Sequence, residues 1–277
     1  MSNVVVITGA ASGIGKAIAR EISKGYSIVL VDINAEMLEK VALEIRGGKR
    51  AVEIVRGDVS IRETHAQATL RASSMGTLKG WVNCAGIGGI FPLHDLPEQT
   101  DGIMRVLEVN QLGSLWGCGE AVKSFINSKI SGSIVNISSV HGRRAHLDHA
   151  VYEMSKAAID ALSRNIAVVY GPYGIRANSV APGAVMSEAM IKSIVDAPDS
   201  NARIKWLERT TPLKRIADPS EIANVVEFLI SERSSYLTGQ SIGVEGGWTS
   251  SLGSSELDPL LAARYNLDAK TGLPNTI

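Results

Sequence analysis

Tyr152 and Lys156 stand four positions apart in AVYEMSKAAI, residues 150–159. Four residues are about one helical turn, so both side chains project from the same face of a helix. A lysine ammonium beside a phenol favours the phenolate and lowers its pKa from about 10. A tyrosine tuned in this way exchanges a proton near neutral pH. The spacing itself is common on helices, so the pair gains meaning only from what accompanies it.

A second constellation opens the chain. TGAASGIG, residues 8–15, places Gly9, Gly13 and Gly15 between a β-branched run and a helical pattern. Glycines let a backbone turn tightly and approach a pyrophosphate, and a helix N-terminus offers free N–H donors to it. The spacing is G-x-x-x-G-x-G. A purely structural turn is the plain alternative, but the position between strand and helix favours a dinucleotide. Asp32 ends the second strand. A carboxylate there accepts hydrogen bonds from ribose hydroxyls and repels a 2′-phosphate. Ile33 follows it, and Ser12 stands where a basic residue would neutralise that phosphate. These choices point to NAD(H) rather than NADP(H).

These residues need a frame. VVVIT (4–8) and SIVLVDI read as buried strands. Further strands are expected at 51–56, 80–84, 132–137, 175–180 and 241–245. Helical patterns lie between them. Ile14, Ile18 and Ile22 share one face before a stop at Gly25. Leu38, Val41, Ala42 and Ile45 share another, capped by Asn34 and ended by Gly47. DPSEIANVVEFLIS carries Asp218 as cap, Pro219 at the first helical position and Glu221 in the first turn. Continuous apolar strands alternating with helices mean a parallel sheet covered on both faces. The expected fold is therefore α/β: a single Rossmann-type, doubly wound parallel sheet of about seven strands. Residues 1–249 are read as one dinucleotide-binding catalytic domain. Residues 250–277 are a C-terminal extension with one short helical patch, LDPLLAARYN.

The 277-residue chain is 45% hydrophobic and 20% charged, with 28 basic and 28 acidic side chains. That balance argues against nucleic acid or an anionic membrane as partner. No apolar run is long enough to span a membrane, and the N-terminus lacks a leader-like pattern. A cytoplasmic setting is expected. Cys84 and Cys118 offer neither a disulfide framework nor metal-type spacing, and no metal is expected. Both cysteines, with Trp81 and Trp116, are expected in the core. His65, on a helical pattern, is expected to be solvated.

Taken in order, the motifs resemble those of the classical short-chain dehydrogenase/reductase family over about residues 3–248. TGAASGIG resembles the family's cofactor turn, with Gly9, Ser12, Gly13, Ile14 and Gly15. GDV implies adenine contacts for Asp58 and Val59. NCAG resembles the Asn-x-Ala-Gly strand end and implies cofactor roles for Asn83, Ala85 and Gly86. The interval from Ser139 in NISS to Tyr152 matches the family's serine-to-tyrosine spacing. APGAVMS resembles the segment beside the nicotinamide, with Pro182 and Gly183; there Val185 and Ser187 are placed to bond the carboxamide. Ser187 stands where threonine is more usual, and Glu245 where aspartate is. The resemblance implies hydride transfer between nicotinamide and a carbonyl or carbinol carbon, with Tyr152 as acid/base. Lys156 would tune it and hold the nicotinamide ribose, Ser139 would bond the substrate oxygen, and Asn110 in VLEVNQLG would hold a water linking Lys156 to solvent. It also implies a homotetramer and a small-molecule substrate.

The segment between Ser139 and Tyr152, VHGRRAHLDHAV, gathers His141, Arg143, Arg144, His146 and His149 against Asp148. S-x-H-G resembles the same stretch in the family's 3-hydroxybutyrate dehydrogenases, where the histidine helps hold a carboxylate. His149 stands where those enzymes carry lysine, and Gly88 where they carry glutamine. An anionic hydroxy or keto compound is therefore the expected substrate, with His141, Arg143, Arg144 and His149 as candidate contacts. A solvated loop whose arginines serve subunit contacts is the plain alternative. Other readings are a neutral alcohol, diol or sugar dehydrogenase, an NADPH-using 3-oxoacyl reductase, and a non-catalytic cofactor-binding homologue. The last is expected to lack one of Ser139, Tyr152 or Lys156, and all are present. Substrate-pocket loops are expected near 87–97, 140–151 and 186–210.

Overall fold

The computed structural model describes residues 2–47, 50–146, 149–250, 263 and 266–268. Strands and helices alternate: β1 (Ser2–Thr8), α1 (Gly13–Ile22), β2 (Ser27–Asp32), α2 (Ala35–Arg46), β3 (Val52–Arg56), α3 (Arg62–Met75) and β4 (Gly76–Asn83). Then come α4 (Thr100–Leu107), α5 (Gly113–Ser128), β5 (Gly132–Ile137), α6 (Ala150–Tyr170) and β6 (Ile175–Pro182). The described series closes with α7 (Glu188–Val195), α8 (Ser200–Arg209), α9 (Pro219–Ile230) and β7 (Ser241–Val244). The strands form one parallel sheet in the order β3-β2-β1-β4-β5-β6-β7. This is the Rossmann-type doubly wound sheet that the alternation predicts.

The alternation of side chains along each strand divides the core between two faces. From β1, Val5 and Ile7 pack with Ile18, Ile22, Leu38, Val226 and Leu229 of α1, α2 and α9. Val4 and Val6 point the other way, onto Ala68, Ala121, Phe125 and Ile166 of α3, α5 and α6. Each large apolar side chain buried this way contributes about 1.5–3 kcal/mol. Local signals hold the helix starts. Asn34 accepts from the Met37 N–H at 3.1 Å, and Asp218 with Glu221 forms a capping box on α9.

Winding runs outward from β1 through β3, then restarts at β4 on the opposite side of β1. The carboxyl ends of β1 and β4 therefore border the crevice where this fold binds ligands.

Two packing expectations are corrected. His65 is 1% exposed, with Nε2 2.8 Å from the Val59 carbonyl and its ring beside Trp81. Burial lowers its pKa, so it is a neutral core residue. Trp116 is only half-buried, with Arg62 over its ring. Trp81 and Cys118 are buried as expected. Most of the helical patch expected at 257–266, and most of the extension, lie outside the described residues.

Candidate active site

The turn after β1 has no room for a side chain at Gly9 or Gly15. A Cβ on Gly9 would sit 2.7 Å from the Ala85 backbone, and one on Gly15 would sit 2.0 Å from the Gly9 carbonyl oxygen. Gly9 and Gly13 also adopt left-handed φ values of 68° and 51°. Contact this close brings β1 and β4 together and bares the first N–H groups of α1. One of them is already occupied by an anion: Glu188, at the start of α7, accepts from the Gly13 N–H at 2.5 Å. A carboxylate seated at this helix N-terminus shows that the turn takes a negatively charged oxygen, as a pyrophosphate would require. The residues present thus fit a dinucleotide.

The turn opens onto a cavity of about 650 Å³. At one end, Asp32 accepts from the Ala11 N–H at 3.0 Å and the Asn34 N–H at 2.9 Å. Ile33 beside it is exposed. Further along, Asp58 accepts from the Ser60 backbone and hydroxyl and from Arg105 at 2.6 Å. Burial pushes the Asp58 carboxyl up, but Ser60 and Arg105 outweigh it and hold the group below its ordinary range. Val59 completes this wall. Arg105 carried no sequence signal; its partner lies on a different βα loop.

At the other end lie Ser139, Tyr152 and Lys156. Strand β5 delivers the serine and α6 delivers the other two. Lys156 is 4% exposed, donates to the Ile137 carbonyl at 2.9 Å and lies 5.6 Å from the Tyr152 ring centroid. Ser139 Oγ accepts from the His141 N–H at 3.2 Å, which leaves its hydroxyl hydrogen free to donate. Ser138 instead donates to the Lys156 carbonyl at 3.0 Å, so it braces α6. The adjoining wall combines Ala85 and Gly86 after β4 with Pro182, Gly183, Val185 and Ser187 after β6. Cys84 packs against the core as expected, at its edge, where it also borders the cavity. Desolvation pushes its thiol up to about 12, so it stays protonated.

Asn110 and Asn83 lie behind the wall rather than in it. Asn110 sits on a π-helical turn, Glu108–Leu112, that joins α4 to α5. Its amide exchanges two 2.9 Å hydrogen bonds with the Ile87 backbone and donates to Ser155 Oγ at 2.9 Å. It thereby holds the strand end beside Lys156. Asn83 is 4% exposed and joins Trp81 Nε1 to Asn136, both at 2.8 Å. Asn83, expected to have a cofactor role, does not line the cavity; its side chain points into this buried network.

The remaining wall carries His141, His146, His149, Trp206, Trp248 and Arg203. His141 lies 6.0 Å from Tyr152 and stacks on His149 at 5.6 Å. Burial first, then His146 and His149, push it down to about 4, so it is neutral and cannot supply the charge expected of it. Arg143 and Arg144 are also corrected as substrate contacts. Arg143 is held by the Ser241 carbonyl and Asp160, and Arg144 by the Thr249 carbonyl, all away from the cavity wall. Sequence reasoning missed Arg203 and Trp206, whose one-turn spacing on α8 was the available signal. Among the described residues no cluster of His, Cys, Asp or Glu is arranged for a metal, and no helix is long and apolar enough to cross a membrane.

Comparison with known proteins agrees with this geometry. A family model described as enoyl-(acyl carrier protein) reductase matches residues 9–249. Glucose 1-dehydrogenase 2 of Bacillus subtilis is 33% identical over 250 residues, covering 88% of this chain and 93% of its own. A diacetyl reductase, (S)-acetoin forming, of Staphylococcus epidermidis is 30% identical over 256 residues, covering 89% and 98%. Among solved structures, levodione reductase superposes with a TM-score of 0.84 at 29% identity, covering 90% and 98%. Gluconate 5-dehydrogenase from Burkholderia cenocepacia, in complex with NADP and tartrate, gives 0.82 at 28%, covering 90% and 96%. With a glycine cradle, a Tyr–Lys pair and a serine around one crevice, the chain belongs to the short-chain dehydrogenase/reductase family, oxidoreductases that bind a nicotinamide cofactor and act on CH–OH groups of small molecules.

Proposed function

We propose that this protein is an NAD(H)-dependent enzyme interconverting a secondary alcohol and a ketone. The observation that carries this reading is that Ser139, Tyr152, Lys156 and Asp32 all line one cavity. A nicotinamide dinucleotide bound there supplies the hydride acceptor or donor. Tyr152 takes the hydroxyl proton in oxidation and returns it in reduction. Ser139 donates its free hydroxyl hydrogen to the substrate oxygen as charge develops there. Lys156 favours negative charge on the tyrosine oxygen and binds the nicotinamide ribose. Asn110 keeps the Gly86–Ile87 wall against it. The turn from Gly9 to Gly15 takes the pyrophosphate, Asp58 and Val59 flank the adenine, and Val185 and Ser187 bond the carboxamide.

Asp32 makes no ion pair among the described residues, and Arg105 is paired with Asp58. The Asp32 charge is thus free to accept ribose hydroxyls and to repel a 2′-phosphate, which supports NAD(H). The NADP of gluconate 5-dehydrogenase belongs to that protein.

The catalytic unit is residues 1–249, with 250–277 as an extension. The protein acts in the cytoplasm, where Cys84 and Cys118 stay as the free thiols seen here. It assembles as a homotetramer through α5 and α6, where Leu115, Met154 and Val168 leave apolar surface exposed. The test is a fluorescence titration with NADH and NADPH, followed by an NAD⁺-reduction screen across secondary alcohols, sugars, diols and hydroxy acids. NADH is expected to bind at micromolar levels and NADPH far more weakly. Equal binding, or no turnover anywhere in the screen, overturns the reading.

A further inference from the structure

Charge is unevenly distributed along the cavity. Its acids Asp32, Asp58 and Glu188 sit at the cofactor end, and each has hydrogen-bond donors. Two of its cations are also engaged, Arg105 by Asp58 and Lys156 by the Ile137 carbonyl. Arg203 differs. Among the described residues its side chain makes no ion pair or hydrogen bond; its guanidinium lies 4.9 Å from the Trp206 ring centroid. Contact with an aromatic face holds the guanidinium in place without using up its N–H donors, which stay available to an anion.

The location connects this fork to the chemistry. Trp206 meets His146 at 5.8 Å, His146 meets both His149 and His141, and His141 meets Tyr152 at 6.0 Å. A file of rings therefore runs along the wall from the proton-exchanging tyrosine to the unpaired cation. A substrate oxygen at Ser139 and Tyr152 would leave the rest of the molecule lying along that file.

We propose that Arg203 anchors a carboxylate of the substrate, which makes a hydroxy acid and its oxo acid the preferred pair. The inference rests on the proposed reading of the site. One cation matches one carboxylate, whereas a phosphate dianion would leave a charge unmatched. His141, held neutral by burial, supplies no charge to this anchor. In oxidation the carbinol carbon gives up a hydride, one proton with the C–H bond pair, to the nicotinamide. The hydroxyl proton goes to Tyr152, and the carboxylate is unchanged.

The experiment compares matched pairs: gluconate with glucitol, and 3-hydroxybutyrate with 1,3-butanediol. Each is assayed with NAD⁺ on the wild type, Arg203→Met and Arg203→Lys, alongside NADH affinity. The wild type is expected to favour the acid of at least one pair by about tenfold or more in kcat/KM. Arg203→Met should lower that acid-to-neutral ratio about tenfold, mostly through KM, and Arg203→Lys should restore part of it. NADH affinity should stay within about twofold. Equal losses on acid and neutral partner overturn the anchor, as does a loss confined to NADH binding. A wild type that oxidises only neutral partners also overturns it while leaving the dehydrogenase reading intact. If no pair is oxidised, tartrate binding to the NADH complex decides: no binding, or binding that survives Arg203→Met, overturns the anchor.

Discussion

On the proposed reading of the site, a dinucleotide pyrophosphate must take the N–H that Glu188 now holds. In this structure the carboxylate sits 2.5 Å from Gly13 N, on the turn that a cofactor needs. Binding must therefore break that contact and swing the side chain out. An exposed, charge-assisted hydrogen bond contributes about 1 kcal/mol after solvent screening. Removing it lowers the cost of binding by that amount, which is about fivefold in Kd. Losing a negative charge near the pyrophosphate works in the same direction. The start of α7 does not depend on Glu188, because Ser187 caps it by accepting from the Met190 N–H at 3.3 Å. Glu188→Ala should then bind NADH about fivefold more tightly in a fluorescence titration, and Glu188→Gln, which keeps a neutral acceptor, somewhat less. ADP-ribose should gain as NADH does, and adenosine, which lacks the pyrophosphate, should not. Unchanged or weaker NADH binding would refute the reasoning, and so would an equal gain for adenosine.

Four other outcomes follow from the site. Asp32→Ala combined with Ile33→Arg should move preference toward NADP(H) in kcat/KM; a wild type that already uses both cofactors equally contradicts the role given to Asp32. Tyr152→Phe should nearly abolish turnover while NADH still binds, and Lys156→Ala should damage both; a Tyr152→Phe variant keeping more than about a tenth of activity, an effect under about 1.4 kcal/mol, excludes the tyrosine as principal acid/base. His141 has a folded pKa of about 4, set by burial and then by His146 and His149. The unfolded chain takes up this proton near pH 6.5 and the folded chain does not, so the group lowers stability progressively as pH falls from about 6.5 to 4. His141→Gln should make melting temperature fall less over that window, and parallel curves would rule the effect out. Sedimentation at micromolar concentration should give a tetramer, and a monomer would remove the role given to the exposed apolar surface of α5 and α6.

What the sequence determined by itself was local or ordered along the chain. β-Branched runs and helical apolar spacing specify the strands and helices, because each signal arises within one element. Asn34 and Asp218 act as caps on groups two or three residues away. The glycine turn with Asp32, and Tyr152 with Lys156, were legible because one βαβ connection, or one helical turn, sets their relation; Ser139 was legible through the family resemblance in its spacing to Tyr152. Tertiary structure decided whatever depends on which distant surface a side chain meets. His65 is neutral because the Val59 loop and Trp81 close over it; its own helix does not say so. Arg143 and Arg144 share a loop with His141, yet the carbonyls of Ser241 and Thr249 draw them out of the site. Asn83 matches a cofactor motif, but the lateral packing of β4 against β5 turns its amide to Asn136. Arg203 and Glu188 reach the cavity only because the chain between β6 and α9 folds back across the crevice. No local pattern encodes that approach, since its stabilising contacts lie at the far end of the fold: Glu188 meets a backbone N–H 175 positions away.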